Sequence, residues 1–273
     1  MRCYNNHKRG DSVNFFDKES NVIEYFQTTC HGIIFNSIKS IFIVNKVLKS
    51  RHWKNWVDNS KKSDPPPDFY SNKYKLMMEV MRVDDHTKKL KSGKLYNATN
   101  VAESKIYSEL KAKGIEDGVN GNKVIVISHS NLPTEEDHNY KFYISSFKRV
   151  LEKHNFQIPL YKKNHPKHKC VFLIIDESCA YAQANNTEEL PSEIIRGAPY
   201  RAEIHKHFFD EEFINVLKEI KADYVIWFSP YKHYIVSGPV PLNIPNTAVY
   251  DMKKIRKVKS IHYPPDLIFS TER

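Results

Sequence analysis

Three short segments of this chain are apolar at nearly every position, and they constrain its fold more than any other feature. They are residues 123–128 (KVIVIS), 170–176 (CVFLIID) and 224–229 (YVIWFS). A strand without a polar face is buried on both sides, which is typical of a parallel sheet covered by helices. The three segments therefore predict an α/β fold.

Helical patterns lie between and before these strands, as parallel crossovers require. They cover residues 20–56, loosened at Gly32, and residues 101–113, 140–154 and 210–221. We predict a mixed central sheet flanked by helices, in one α/β domain over residues 20–232. Residues 1–19 are expected to form a flexible tail. Residues 233–273 form a proline-rich, basic extension that wraps on the domain or binds a partner.

Positive charge is in excess. The 273 residues include 42 Lys and Arg against 32 Asp and Glu, a net charge of +10. Such an excess attracts polyanions, so we expect nucleic acid as the partner, with DNA ahead of RNA. The alternative is a lysine-rich surface that serves only solubility. The expected phosphate contacts come from three basic segments: Lys88, Lys89, Lys91, Lys94, Lys148, Arg149, Lys162, Lys163, Lys253, Lys254, Arg256 and Lys257.

The cysteines and the apolar stretches indicate in which cellular compartment the protein is expected. The four cysteines form no CxxC pair, and residues 1–20 lack the apolar core of a secretory signal. Residues 32–48 are apolar but too short and too polar to cross a bilayer, so they predict a buried core helix. We therefore expect a cytoplasmic protein without a membrane partner.

Two acids lie in a hairpin-like pattern. Asp68 follows three prolines, and Glu79 lies in the predicted strand 74–83 (YKLMMEVMRV), on the same face as Met77 and Met81. An ionised carboxylate among apolar side chains costs several kcal/mol unless it has a partner. One partner is a divalent cation shared with Asp68, since such a cation prefers carboxylate oxygens. The other is a structural ion pair with Arg82, Lys75 or a helix lysine.

The stretch PPPDFYSNKYKLMMEVMR resembles the active-site hairpin of the PD-(D/E)xK nuclease superfamily, the restriction-endonuclease-like fold. In that family a Pro-Asp opens a hairpin and a Glu-x-Lys closes the next strand. A helix that precedes the hairpin and an α/β crossover that follows it complete the core. The resemblance implies Mg²⁺- or Mn²⁺-dependent phosphodiester hydrolysis of nucleic acid. It assigns Asp68 and Glu79 as catalytic metal ligands, with Glu24 on the first helix as a third.

The family lysine is replaced here by Met81. That lysine positions the attacking water and offsets charge in the transition state. Lys75 is the catalytic candidate to replace it, with Lys73 and Lys105 as others. Two further functions stay open: a domain of this fold that binds nucleic acid without cutting it, and a protein–protein module whose basic face meets an acidic partner.

Two other polar patterns occur in the sequence. Asp176 and Glu177 end an apolar strand like the acidic motif of P-loop NTPases, but the chain has no GxxxxGK[ST] to hold phosphates. They either line a site at the strand end or simply meet water there, and we favour the second interpretation. Spacings that zinc could use occur at His165, His168, Cys170, His205 and His207, but the lysine-rich setting favours a basic loop.

Overall fold

The structure is a computed structural model that describes residues 19–60, 67–113, 132, 136, 138–190, 202–232 and 244–271. Its helices are α1 (Glu19–Thr29), α2 (Ile38–Leu48), α3 (Ser50–Trp53), α4 (Ala98–Ala112), α5 (Tyr140–Asn164) and α6 (Glu211–Lys218). Its strands are β1 (Ile33–Phe35), β2 (Val57–Asp58), β3 (Phe69–Ser71), β4 (Leu76–Val83), β5 (Thr87–Lys89), β6 (Leu95–Asn97), β7 (Lys169–Asp176), β8 (Tyr181–Gln183), β9 (Glu203–Ile204), β10 (Tyr224–Phe228), β11 (Thr247–Asp251) and β12 (Ile268–Ser270).

Seven strands form the central sheet, in the order β1-β11-β10-β7-β4-β3-β2. β4, β7 and β10 run parallel to one another, while β3 is antiparallel to both β4 and β2. The predicted mixed α/β architecture, with a central sheet flanked by helices, is confirmed. β7 and β10 correspond to the apolar segments 170–176 and 224–229. The third apolar segment, 123–128, lies outside the described residues.

Each face of the central sheet is covered by its own helices. On β4, Met77 and Met81 join the core that contains α5 and α6, while Leu76 and Met78 join the core that contains α1 and α2. This division follows from the two-residue period of a strand. β7 and β10 are buried along their whole length except at Lys169, which explains their continuous apolar sequences.

The first predicted helix is divided in the structure. α1 ends at Thr29, and the chain forms the short strand β1 before α2 begins. Gly32 permits the break because its φ is +58°, and a Cβ there would lie 3.0 Å from Cα of Pro245. Ser37 then caps the N-terminus of α2. The expected single helical run is therefore wrong at this glycine.

α2 is a helix, as its sequence predicts, but only one side of it is buried. Val44 and Val47 are inside, whereas Ile38 and Phe42 are 73% and 64% exposed. Apolar residues occupy more of its circumference than the sheet covers, so the expectation of a buried core helix is only partly correct. No helix in the described ranges is both long enough and apolar enough to span a bilayer.

α5 and α4 differ from prediction at their ends. α5 begins at Tyr140 as expected, with Asn139 as its cap, but it continues to Asn164. The added turns carry Ile158 and Tyr161 into the core. α4 begins at Ala98, three residues before the helix predicted over residues 101–113.

Part of the C-terminal extension lies in the central sheet. β11 is placed between β1 and β10 and is buried at every position. β12 pairs with β8 in a small three-stranded sheet that also contains β9. At the other end of the chain, only Glu19 of the expected tail falls within the described residues, where it begins α1.

Candidate functional site

The β3–β4 hairpin brings Asp68 and Glu79 to the same rung of the sheet. Phe69 pairs with Met78 and Tyr70 with Met77, so the residue before β3 lies opposite Glu79. Cross-strand partners project from the same face, and both carboxylates therefore belong to the α5 side. Asp68 Oδ2 accepts a hydrogen bond of 2.7 Å from the Val80 backbone N–H, which ties the two strands together.

Glu79 is buried, with 7% of its surface exposed. Its Oε1 lies 2.8 Å from Nδ1 of His154 on α5. Its Oε2 is also buried and has no hydrogen-bond partner in the part of the chain that the structure describes. A buried carboxylate oxygen without a partner loses its hydration free energy without compensation. Oε2 is therefore the oxygen of Glu79 that the hydrogen bonds of the described residues leave without a partner.

Tyr161 lies near both acids. Burial raises the pKa of Tyr161, and the negative charge of Glu79, a side-chain hydrogen-bond interaction with Glu79 that falls outside normal hydrogen-bond geometry, and the charge of Asp68 raise it further. Its hydroxyl therefore stays protonated at neutral pH. Neither Tyr161 nor His154 was a candidate from sequence, since α5 reaches the hairpin only through the tertiary fold.

A cavity of about 250 Å³ lies where β4 continues past the end of β3, and its lining includes His154, the partner of Glu79, but neither Glu79 nor Asp68. Its lining comes from α1, β4 and α5: Val22, Val80, Met81, Arg82, Arg149, Val150, Lys153 and His154. Three of these side chains are cationic, and Arg82 is also held by Glu177 through two bonds of 2.9 and 2.8 Å. A cavity with three cationic side chains can hold a phosphate, and His154 connects this cavity to Glu79.

The other predicted metal ligand and the substitute lysine lie elsewhere. Glu24 is exposed on α1, whose buried residues pack on the face opposite α5. Lys75 is exposed at the β3–β4 turn, where it adopts a φ of 52°. Lys153, which was not a sequence candidate, lines the same cavity as Met81.

The predicted phosphate contacts lie on three elements. Lys88 is 3.2 Å from Glu136, and Lys162 is 3.5 Å from Asp223, so both have acidic neighbours. Arg149 lines the cavity described above. The remaining members are exposed on the β5–β6 hairpin, on α5 and on the 3₁₀ helix Met252–Lys257: Lys89, Lys91, Lys94, Lys148, Lys163, Lys253, Lys254, Arg256 and Lys257.

A second polar group occupies the carboxyl ends of β4, β7 and β10. Asp176 is fully buried there and does not meet water, so the interpretation favoured from sequence is wrong. Its carboxylate accepts hydrogen bonds from several side chains and lies 3.6 Å from the Lys232 ammonium. The side-chain donors are Tyr143, Ser178, Trp227 and Ser229. Parallel strands place polar ligands at this edge, which is the signal that the sequence contained.

The free energy of unfolding is expected to decrease as the pH falls below about 6.5, in part because of His207. Burial, and then the charges of Lys232 and His205, hold the pKa of His207 well below its ordinary value. An unfolded histidine titrates near 6.5, so below that pH the unfolded chain binds a proton that the folded chain does not. Each such group costs about 1.4 kcal/mol per pH unit until the folded-state pKa is reached.

Urea unfolding between about pH 5 and pH 7.5 measures this slope. His207→Gln should show a shallower loss of stability with falling pH than the wild type. His262→Gln, at an exposed histidine, should keep the wild-type slope. Equal slopes for the wild type and His207→Gln would contradict the assignment.

Asp85, His86 and His138 form a third group, beyond the end of β4. One ligand atom of each lies within 4.8 Å of the others. Among the described residues, the histidines that the sequence suggested for zinc do not form such a group with Cys170. No protein-family model, curated protein or solved structure matches this chain, so these side-chain groups carry the functional inference.

Proposed function

We propose that this chain is a metal-dependent nuclease that hydrolyses phosphodiester bonds of nucleic acid at Asp68 and Glu79. One observation carries the proposal: Glu79 Oε2 is buried without a hydrogen-bond partner among the described residues, on the same rung as a second carboxylate. A purely structural carboxylate would be expected to have both oxygens satisfied.

The donor set fits a hard divalent cation. Asp68 and Glu79 supply carboxylate oxygens from adjacent strands, and Mg²⁺ or Mn²⁺ prefers such ligands. When bound, such an ion activates water and neutralises charge on a phosphodiester. Met77 and Met81 flank Glu79 on its face, and the low dielectric that they create strengthens the attraction between the acids and a cation.

The strand order supports the same proposal. α1 precedes the hairpin, β2, β3 and β4 follow in antiparallel order, and the chain then crosses over through α5 to β7, which is parallel to β4. This arrangement is similar to the restriction-endonuclease-like core that the hairpin motif implies. The proposed acids lie in the hairpin of that arrangement.

Basic side chains of the cavity have separate roles in the proposal. Arg149 and Arg82 hold the phosphate backbone, since a guanidinium binds phosphate with two hydrogen bonds. Lys153 offsets negative charge in the transition state in place of the lysine that Met81 replaces, because it lines the same cavity. Lys75 at the turn is the alternative source of that charge.

Incubation of the purified chain with plasmid DNA, single-stranded DNA and RNA tests the proposal. Each substrate is incubated with Mg²⁺, with Mn²⁺ and with EDTA, and products are separated by electrophoresis. We expect cleavage of at least one substrate with a divalent cation and none with EDTA, with DNA as the first substrate to examine. Absence of metal-dependent cleavage on every substrate would overturn the nuclease assignment.

A second function is favoured by the ion pair at Glu79. His154 Nδ1 lies 2.8 Å from Glu79 Oε1, and Met81 stands where the catalytic lysine is expected. Both features fit a domain that binds nucleic acid through its basic surface and does not cut it. That function predicts salt-sensitive binding of DNA or RNA with no cleavage at any metal concentration.

A further inference from the structure

Asp85, His86 and His138 converge at the carboxyl end of β4, apart from the hairpin acids. Asp85 is fully buried, while the two histidine side chains are 15% and 17% exposed. The two imidazole rings are 4.6 Å apart between centroids. Asp85 is reached directly from β4, and His138 precedes the cap of α5. The fold thus brings together residues that are far apart in sequence.

We propose that Asp85, His86 and His138 bind a divalent first-row transition-metal ion of the zinc class. Two imidazole nitrogens and one carboxylate oxygen are a donor set that suits zinc, iron or cobalt better than magnesium. Three protein ligands leave a coordination position for water or a substrate.

The distances favour a shared ion over direct ion pairs. His138 Nδ1 lies 3.3 Å and His86 Nε2 lies 3.5 Å from the same oxygen, Asp85 Oδ1, and His138 Nδ1 is also 3.4 Å from Asp85 Oδ2. Charge-assisted hydrogen bonds between such groups are shorter, about 2.7–2.9 Å. Donor atoms on a tetrahedral ion with bonds of about 2.0–2.1 Å lie about 3.3–3.4 Å apart, which is close to the separations seen here.

The second oxygen of Asp85 is fixed by other groups. Asp85 Oδ2 accepts hydrogen bonds from the Cys179 backbone N–H at 3.0 Å and from the Tyr181 hydroxyl at 2.7 Å. Such bonds orient a metal-binding carboxylate and leave its other oxygen for the ion. The Asn139 backbone N–H also donates to the Asp85 carbonyl at 3.1 Å, which holds the His138 segment against β4.

The positive charge closest to the proposed metal site is balanced by an acid. Lys232 would repel a cation, but its ammonium is 3.6 Å from the Asp176 carboxylate. Partial exposure of both imidazoles gives an ion a path to Asp85 Oδ1.

Metal titration of the full chain tests this site. Metal-free protein carrying Glu79→Gln, which removes the hairpin ligand, is titrated with Co²⁺ and Zn²⁺ and followed by visible absorption and calorimetry. We expect one bound ion whose Co²⁺ spectrum shows nitrogen and oxygen ligation. His86→Gln and His138→Gln should each weaken binding at least about tenfold.

Two controls make the result decisive. His262→Gln changes an exposed histidine that pairs with Glu211, and it should leave the affinity unchanged. Circular dichroism establishes that each variant is folded, and His86→Gln decides alone if His138→Gln does not fold. Failure of the Glu79→Gln protein to bind one ion, or equal affinity in it and in the folded histidine variants, would overturn the proposal. The result is independent of nuclease activity.

Discussion

Replacing Glu79 with glutamine is expected to lower metal-dependent cleavage at least about a thousandfold. The substitution keeps the shape of the side chain but removes the charge that would hold the cation. A bound metal ion supplies several kcal/mol of transition-state stabilisation, and each 1.4 kcal/mol corresponds to a factor of ten in rate. Single-turnover cleavage of a labelled substrate at saturating Mg²⁺ measures the loss.

The same variant distinguishes a metal ligand from a structural ion pair. Glutamine keeps an oxygen that can accept a hydrogen bond from His154, and it removes a buried charge whose Oε2 has no hydrogen-bond partner among the described residues, so for a metal ligand the free energy of unfolding of the metal-free protein should change by less than about 1 kcal/mol. Glu211→Gln is the matched control, since Glu211 also pairs with a histidine, His262, and lies away from the hairpin. It should retain most of the activity. A Glu79→Gln protein that cleaves normally but is several kcal/mol less stable would identify Glu79 as the structural partner of His154.

Asp176→Asn is expected to destabilise the fold by about 3–5 kcal/mol. The substitution leaves the Lys232 ammonium, whose side chain is 5% exposed, without its nearest negative charge. It also puts an amide nitrogen, a donor, where donors from Tyr143, Trp227 and Ser229 converge. Urea unfolding followed by fluorescence gives the change in free energy.

The neighbouring Glu177 provides the control for this effect on stability. Its pair with Arg82 is partly exposed, with side-chain exposures of 17% and 44% for the acid and the arginine. A pair of this kind contributes up to about 1 kcal/mol, so Glu177→Gln should be mildly destabilising at most. Equal stability losses for Asp176→Asn and Glu177→Gln would mean that the buried group adds nothing beyond a surface ion pair.

The sequence predicted the strands of the core better than the helices. β7 and β10 could be located because apolar residues at every position leave few alternatives to a buried strand. The break at Gly32 was underestimated because it depends on the close approach of Pro245, which is distant in sequence. The exposed side of α2 depends in the same way on how much of the helix the sheet covers.

Only part of the candidate site could be predicted from the sequence. Glu79 could be selected because strand alternation places a charge among apolar side chains, and Asp68 because of the motif before it. His154 and Tyr161 could not be selected, since their approach to Glu79 depends on where α5 crosses β4. The buried group around Asp176 draws on α5, β7 and β10 together. Such convergence has no local signature in a single sequence.

The position of β11 also determines when the sheet can be completed during synthesis. Among the described strands, β1 pairs only with β11, which lies more than two hundred residues later in the sequence. Until residues 247–251 leave the ribosome, β1 and β10 each present a bare hydrogen-bonding edge. The nascent chain must shield these edges, and stalled or truncated translation products are the forms most exposed to aggregation.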